Sequence, residues 1–216
     1  SVVNPLKYYI NNTCNTANLI DLCNQYNVNN FIFSSTAAVY GELDSDKIPI
    51  NESEKNNPIN PYGSSKSFIE QILKDNEYAN KNFKYVILRY FNVAGAEDSL
   101  SIGERHEPET HLIPLVVKTA LGKRDKVMIY GNDYDTKDGT CIRDYIHVDD
   151  LASAHLSCLE YLKENKSVTF NCGYGHGYSV MEIIKVVKKV SGINFNVEIT
   201  DRRVGDAAVL LTDNSK

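Results

Sequence analysis

The sequence predicts an α/β protein that contains the C-terminal part of a doubly wound parallel sheet and a smaller α/β lobe. The first observation is an alternation of amphipathic and wholly apolar segments: a helix over 18–26, a strand over 31–35, a helix over 62–80 and a strand over 85–91. This alternation is typical of a parallel sheet covered by helices on both faces. The second observation is that both strands end in segments of polar residues or glycine, at 34–36 and 91–95. Ligands of such sheets bind at these carboxyl ends.

Each predicted helix carries an apolar face. Apolar side chains recur at helical spacing at Leu19, Ile20, Leu22 and Cys23 in the first helix, and at Phe68, Ile69, Ile72 and Leu73 in the second. This spacing places each set on one side of its helix, where it can pack against a sheet.

The second half of the chain is more irregular. We predict helices over 112–122, 149–164 and 180–190, and strands over 127–131 and 168–172. We therefore divide the chain into a sheet domain, 1–96, and a second domain, 97–216, with about 141–175 partly returning to the main sheet.

Composition excludes several classes of function. The 216 residues are 42% hydrophobic and 24% charged, enough to bury a core. A net charge of -5 argues against nucleic-acid binding. The five cysteines form no C-x-x-C pair, which disfavours a disulfide framework or a zinc ribbon and favours a reducing cytoplasm. No apolar stretch approaches the roughly 18 residues of a membrane span. Because the chain begins at Ser1 and ends in polar residues, we expect it to be a fragment of a longer protein.

The run Tyr62-Gly-Ser-Ser-Lys66 carries the main chemical signal, because it places a phenol and an ammonium on one face at the start of a helix. A phenol pKa near 10 must fall by about three to serve as a base at neutrality, roughly 4 kcal/mol of preferential phenolate stabilisation. A neighbouring ammonium in a desolvated cleft has that effect. By itself this spacing is more often a solvated helix face. The strand over 31–35, however, delivers the Thr36 hydroxyl to the same edge, which completes a Thr, Tyr, Lys triad.

Several motifs together resemble one family. S-S-T-A-A-V-Y-G (34–41), P-Y-G-S-S-K (61–66) and L-R-Y-F-N-V-A-G (88–95) are similar to the active-site sequence of extended short-chain dehydrogenases/reductases. I-Y-G-N-D-Y (129–134), D-G-T-C-I-R-D-Y-I-H-V (138–148) and R-R-V-G-D (202–206) resemble the UDP-glucose 4-epimerase group of that family.

The resemblance implies a Rossmann-type NAD-binding domain at 1–96, a substrate-binding domain at 97–216, and interconversion of UDP-glucose and UDP-galactose by transient oxidation at the sugar C4. It implies Tyr62, Lys66 and Thr36 as catalytic residues. It further implies NAD contacts at Asn11, Thr36, Tyr62, Lys66 and Phe91, and UDP-sugar contacts at Thr36, Tyr62, Asn92, His111, Leu112, Met128, Ile129, Tyr130, Arg143, Arg203, Asp206 and Leu210. It also implies a homodimer formed through helices over 11–25 and 64–77.

Two alanines distinguish the epimerase reaction from related reactions on nucleotide sugars. A sugar-nucleotide 4,6-dehydratase needs an acid and a base directly after the threonine, and decarboxylases of this kind usually carry a glutamate there. Ala37 and Ala38 occupy these positions. Two alternatives stay open: an NAD-dependent epimerase for N-acetylhexosamine or pentose nucleotides, and a non-catalytic dehydrogenase-like binding subunit.

The segment His106-Glu-Pro-Glu-Thr-His111 superficially resembles a metal motif. Its histidines lie five residues apart, and Pro108 would break a helix between them. We therefore predict no metal here, and a phosphate contact for His111.

No G-x-G-x-x-G segment follows a strand in this chain. The resemblance places that loop upstream of Ser1. Since its backbone amides bind the NAD pyrophosphate, we expect this polypeptide alone to bind NAD weakly.

Overall fold

The computed structural model describes residues 1–99, 101–164 and 166–216 and confirms the predicted α/β fold class. Its α-helices are α1 (Pro5–Tyr8), α2 (Asn15–Gln25), α3 (Pro61–Ala79), α4 (Leu112–Ala120), α5 (Val148–Glu164) and α6 (Val180–Ser191). Its strands are β1 (Asn30–Thr36), β2 (Lys84–Tyr90), β3 (Asn92–Ala94), β4 (Lys126–Tyr130), β5 (Ile142–His147), β6 (Val168–Cys172), β7 (Gly177–Ser179), β8 (Asn196–Thr200) and β9 (Val209–Leu210). A π-helical segment, Tyr9–Cys14, joins α1 to α2.

The main sheet consists of β1, β2 and β6, all parallel, in the order β1-β2-β6. Thr36 is paired in register with Tyr90, and Tyr90 with Cys172. All three strands therefore end at one edge, and the segments after them open onto the same space.

The apolar faces predicted for the first two long helices are only partly buried. Ile20, Ile69 and Leu73 are buried in one core cluster with side chains of β1 and β2. Leu19, Leu22 and Phe68 stay about half exposed, at 50%, 48% and 53%. These helices thus cover the sheet with one side and leave a second apolar side uncovered among the described residues.

The second half of the chain forms two small sheets. Strand β5 pairs with β3, β7 and β9, and β4 pairs with β8. A separate core cluster lies between α4, β4 and α6 and contains Val116, Ile129 and Ile184. Strand β6 pairs with β2 of the main sheet, while the boundary between 96 and 97 stays a prediction.

None of the described helices is both long enough and apolar enough to cross a membrane.

Candidate active site

A cavity of about 820 Å³ opens beyond the carboxyl ends of β1 and β2. This volume is in the range of sites that enclose small ligands. The predicted site residues in its walls are Thr36, Tyr62, Phe91, Asn92, His111, Leu112, Arg143, Asp206 and Leu210. The predicted residues outside these walls are Asn11, Lys66, Met128, Ile129, Tyr130 and Arg203. Most of the predicted site is thus brought together at the edge of the main sheet.

The first turn of α3 places Tyr62 at this cavity. Asn60 caps the helix, because its Oδ1 accepts from the Gly63 amide at 2.9 Å, and Pro61 occupies the first helical position, which lacks a backbone partner in any case. Gly63 packs against the segment after β1: a Cβ there would lie 2.4 Å from the Ala38 carbonyl oxygen. Only glycine permits this close approach, which holds Tyr62 beside Thr36.

The Tyr62 side chain is partly buried, and its phenol interacts with the Thr36 hydroxyl. The Tyr8 ring lies edge-on to it, with centroids 6.2 Å apart. Burial raises the pKa of Tyr62 above its ordinary value, and the interaction with Thr36 only partly offsets that effect. The depression expected from a neighbouring ammonium is therefore not found in the described chain.

Lys66 explains this difference. Its Nζ donates to the Ser34 carbonyl oxygen at 2.9 Å and lies 5.1 Å from the centroid of the Phe33 ring. Burial lowers the pKa of Lys66. The ammonium is thus anchored to the end of β1. One of its three N–H donors is used there, which leaves donors for the hydroxyls of a bound ribose.

A buried ion pair fixes α3 against the sheet. Arg89 on β2 donates to Glu70 on α3 through Nε at 3.0 Å and Nη2 at 2.6 Å. Glu70 also accepts from Ser35 Oγ at 2.6 Å and from Asn56 Nδ2 at 2.9 Å. Since Glu70 lies one turn after Lys66 and Ser35 directly precedes Thr36, the network ties the two catalytic segments together.

Tyr90 is a cavity residue that the sequence argument did not single out. Its phenol donates to Ser34 Oγ at 2.8 Å and lies 2.5 Å from His155 Nε2. Burial raises the pKa of Tyr90 to about 12. The only available signal was its position at the end of a predicted strand, which does not say which way a side chain points.

The opposite wall of the cavity carries charge. Asp206 lies between two guanidinium groups, 3.8 Å from Arg143 Nη2 and 3.4 Å from Arg203 Nε. The Arg203 guanidinium also stacks over the Tyr130 ring at 4.1 Å. Two arginines beside one carboxylate leave an excess positive charge, which suits an anionic ligand such as a diphosphate.

Strand β4 presents its predicted residues on opposite faces. Ile129 is 1% exposed and packs in the core between α4 and α6, so its side chain is unavailable to a ligand and only its backbone could make a contact. Met128 and Tyr130 alternate with it and face the other side.

Two further predicted residues are engaged elsewhere. Asn11 is exposed on the π-helical segment, and its Nδ2 donates weakly to Asn12 Oδ1 at 3.4 Å. His111 Nδ1 lies 2.6 Å from Glu104 Oε1 and 3.0 Å from Glu109 Oε1. His111 therefore contacts two carboxylates rather than standing free for a phosphate.

Comparison with known proteins places this geometry in a family. Residues 1–173 match the family model described as "NAD dependent epimerase/dehydratase family". The chain belongs to this family. The match covers both segments that carry the triad, Thr36 on one side and Tyr62 with Lys66 on the other.

Individual relatives in the epimerase/dehydratase family are similar over the whole chain. A protein of Rhizobium meliloti (strain 1021) named UDP-glucose 4-epimerase is 48% identical over all of this chain and 65% of its own length. The solved UDP-glucose 4-epimerase of Bifidobacterium longum, in complex with NAD+ and UDP, is 43% identical, with a TM-score of 0.95 over 100% of this chain and 64% of that one. The UDP-Glc/GlcNAc 4-epimerase of Campylobacter jejuni is 58% identical, with a TM-score of 0.81 over 100% of this chain and 65% of that one.

The chain spans about 65% of the length of the curated relatives it matches. Ala37 and Ala38 both line the cavity and offer only methyl groups there.

Proposed function

We propose that the protein interconverts UDP-glucose and UDP-galactose by transient oxidation at C4 of the sugar, with NAD as its cofactor. The observation that carries the proposal is that Thr36 and Tyr62 interact in the wall of the cavity, with Lys66 one turn along α3. The similarity to proteins named UDP-glucose 4-epimerase supports the choice of substrate.

Each residue of the site and the cofactor has a separate role in this proposed reaction. Tyr62 accepts the proton of the 4-hydroxyl when the sugar is oxidised and returns one to the 4-keto oxygen when it is reduced. Thr36 shares a hydrogen bond with the phenol and stabilises the phenolate. NAD, when bound, takes and returns the C4 hydride and adds a positive charge beside the phenol. The spare donors of Lys66 hold the nicotinamide ribose, with Phe91 and Asn11 as further contacts.

The charged wall holds the nucleotide. Arg143 and Arg203 bind the diphosphate, and Asp206 accepts a hydrogen bond from the uridine ribose. Asn92, His111 and Leu112 line the sugar-nucleotide path, together with Met128, Tyr130 and the backbone of Ile129. Leu210 lies where the wall meets the sugar, and it packs against the cluster that contains Phe91.

A coupled assay tests the proposal. The full-length protein is given UDP-galactose with NAD and no other oxidant or reductant, and formation of UDP-glucose is followed. We expect turnover without net consumption of NAD, since the hydride returns to the same sugar. No conversion, with UDP-sugar binding retained, would favour the non-catalytic binding subunit instead.

A second substrate deserves the same assay. The 58% identity to the Campylobacter jejuni protein, whose name includes GlcNAc, favours acceptance of UDP-N-acetylglucosamine as well. Leu210, in the cavity wall, has a medium-sized side chain that fits a hexose and does not by itself decide between the two sugars. Comparing kcat/KM for UDP-galactose, UDP-N-acetylgalactosamine and UDP-arabinose decides the sugar range.

We further propose a cytoplasmic homodimer. The apolar side chains of Leu19, Leu22 and Phe68 are exposed on adjacent helices, which supports an interface there. All five cysteines are free, in keeping with a reducing compartment. Sedimentation of the full-length protein and of its Phe68→Glu variant tests the dimer, because a buried interfacial glutamate would shift the protein towards monomer.

A further inference from the structure

The loop before α4 brings three metal-binding side chains together. The ligand atoms of His106, Glu109 and His111 all lie within 4.8 Å of one another. The two imidazole rings are 5.2 Å apart between centroids. The described segment 101–111 contains no helix, so the objection that Pro108 breaks a helical metal motif does not apply to this geometry.

Glu109 is the fixed member of the group. Its side chain is only 4% exposed, and its Oε1 accepts from the backbone amides of Thr110 and His111, both at 2.8 Å. Among the described residues, none of its hydrogen bonds uses Oε2. The carboxylate is thus oriented by the backbone and left with an oxygen for a ligand.

Glu104 supplies a fourth donor. Its Oε1 lies 2.6 Å from His111 Nδ1, and His106 Nδ1 lies 3.9 Å from Glu109 Oε1. In a tetrahedral site with metal–ligand bonds of about 2.0–2.2 Å, neighbouring ligand atoms are roughly 3.3–3.6 Å apart. The separations from Glu109 Oε1, 3.9 Å to His106 Nδ1 and 3.0 Å to His111 Nδ1, bracket this range. Glu104 lies outside the group of three that share the 4.8 Å limit, so its side chain must rotate towards them to complete the site.

We propose that His106, Glu109 and His111, with Glu104 as the fourth ligand, bind a divalent transition-metal ion of the Zn²⁺ class. Mixed imidazole and carboxylate donors suit Zn²⁺ and Co²⁺, whereas Ca²⁺ and Mg²⁺ require sets of oxygen ligands.

The site adjoins the cavity, because Glu104 and His111 are also wall residues. A metal on Nδ1 of His111 leaves the proton on Nε2, so the ring keeps one fixed N–H donor. The positive charge of the metal ion also offsets the negative charges of the two glutamates beside a cavity that must admit an anionic ligand.

Titration of the metal-free full-length protein with Co²⁺ tests the site by visible absorption and calorimetry. Cobalt is chosen because its d–d spectrum reports a tetrahedral nitrogen–oxygen site, while binding to the free cysteines would add a sulfur charge-transfer band. We expect one equivalent to bind with the nitrogen–oxygen spectrum. His106→Ala and Glu109→Gln should each lower the affinity at least about tenfold.

His176→Ala is the matched control, since His176 is an exposed histidine elsewhere in the chain, packed against Tyr178. It should bind Co²⁺ like the parent. His106 is itself half exposed, so its truncation should leave the circular dichroism spectrum unchanged. Absence of stoichiometric binding, a sulfur-type spectrum, or equal affinity in parent and His106→Ala would each overturn the proposal.

Discussion

At the residue scale, the chemistry depends on how one phenol is held. Tyr62 is partly buried, interacts with the Thr36 hydroxyl and is flanked by Tyr8, and burial raises its pKa. The free protein therefore keeps this phenol neutral at physiological pH. A raised pKa disfavours loss of the proton, so the phenolate that oxidation needs must be stabilised by the bound reactants and by Thr36.

The contribution of Thr36 can be measured directly. Thr36→Ala removes the hydrogen bond that lowers the pKa of Tyr62, so that pKa should rise further. Carbon NMR of ring-labelled tyrosine across an alkaline titration, assigned with Tyr62→Phe, gives the value. Thr36→Ser keeps the hydroxyl and should titrate like the parent. An unchanged pKa in Thr36→Ala would show that burial alone sets it.

Gly63 is a second single-residue test. A Cβ at this position would lie 2.4 Å from the Ala38 carbonyl oxygen, so Gly63→Ala must push the first turn of α3 away from Thr36. Such overpacking should cost about 1–3 kcal/mol of unfolding free energy and reduce kcat. Ser64→Ala, on the next residue, is the control. Denaturant unfolding and steady-state rates report both effects, and a fully active, fully stable Gly63→Ala protein would be inconsistent with this packing.

At the element scale, α3, β1 and β2 act as one unit because of the Glu70–Arg89 pair. Burial raises the pKa of Glu70, but the hydrogen bonds and charge of Arg89 outweigh it, so the pKa lies below its ordinary value of 4.5. Unfolded chains then bind a proton more readily than folded ones. The stability contributed by this group is complete above pH 4.5 and is lost as the pH falls through the folded-state pKa.

Glu70→Gln removes the charge and leaves Arg89 buried without its partner. We expect a loss of about 3–5 kcal/mol of unfolding free energy near neutrality. The acid limb of the stability curve should also become shallower, because one titrating group is gone. Glu160→Gln, in an exposed pair with Lys163, should change neither quantity. Urea unfolding between pH 4 and 8 measures both, and equal stability of the two variants would contradict the structural role given to Glu70.

Helices and strands could be predicted from the sequence where the residue pattern of the segment itself determines them. The strands β1, β2 and β6 are apolar runs, and α3 has a capping asparagine, a proline at its first position and a repeating apolar face. Strand β5, by contrast, reads Ile-Arg-Asp-Tyr-Ile-His, and its partners β3, β7 and β9 have two or three residues each. Such strands exist only through tertiary pairing, so no local period indicates them.

The same limit applies to the site. Thr36, Tyr62 and Lys66 could be found because their motif has fixed spacing. Glu70 stands four residues after Lys66 and looks like one half of a surface ion pair, whereas the fold buries it against Arg89. The cluster around His111 depends on a loop conformation, and loops are poorly specified by periodicity.

At the scale of the whole molecule, the chain contains the proposed catalytic residues and the proposed nucleotide-binding arginines, but its sequence has no G-x-G-x-x-G loop after a strand. Its one run of closely spaced glycines, 173–177, is already engaged: the amides of Tyr174 and Gly175 donate to the buried carboxylate of Asp144. These amides are unavailable to a pyrophosphate.

The main sheet also leaves one side of β1 unpaired among the described residues, an exposed edge that favours self-association.

Calorimetry on the purified 216-residue chain should therefore show NAD binding weaker than micromolar. UDP is the control ligand, because we propose that its diphosphate binds Arg143 and Arg203 rather than a glycine-rich loop, and it should bind more tightly than NAD. Micromolar affinity for NAD would mean that another part of this chain binds the pyrophosphate.

The most direct test of the central claim is the rate of UDP-galactose conversion by the full-length Tyr62→Phe protein. The substitution removes one hydroxyl and keeps the ring, so UDP-sugar affinity should be preserved. Tyr78→Phe, at an 81% exposed tyrosine of the same helix, is the control and should keep full activity. Loss of a proton-transfer group should lower kcat by about 10²–10⁴. A Tyr62→Phe protein that converts UDP-galactose at the parental rate would contradict the account.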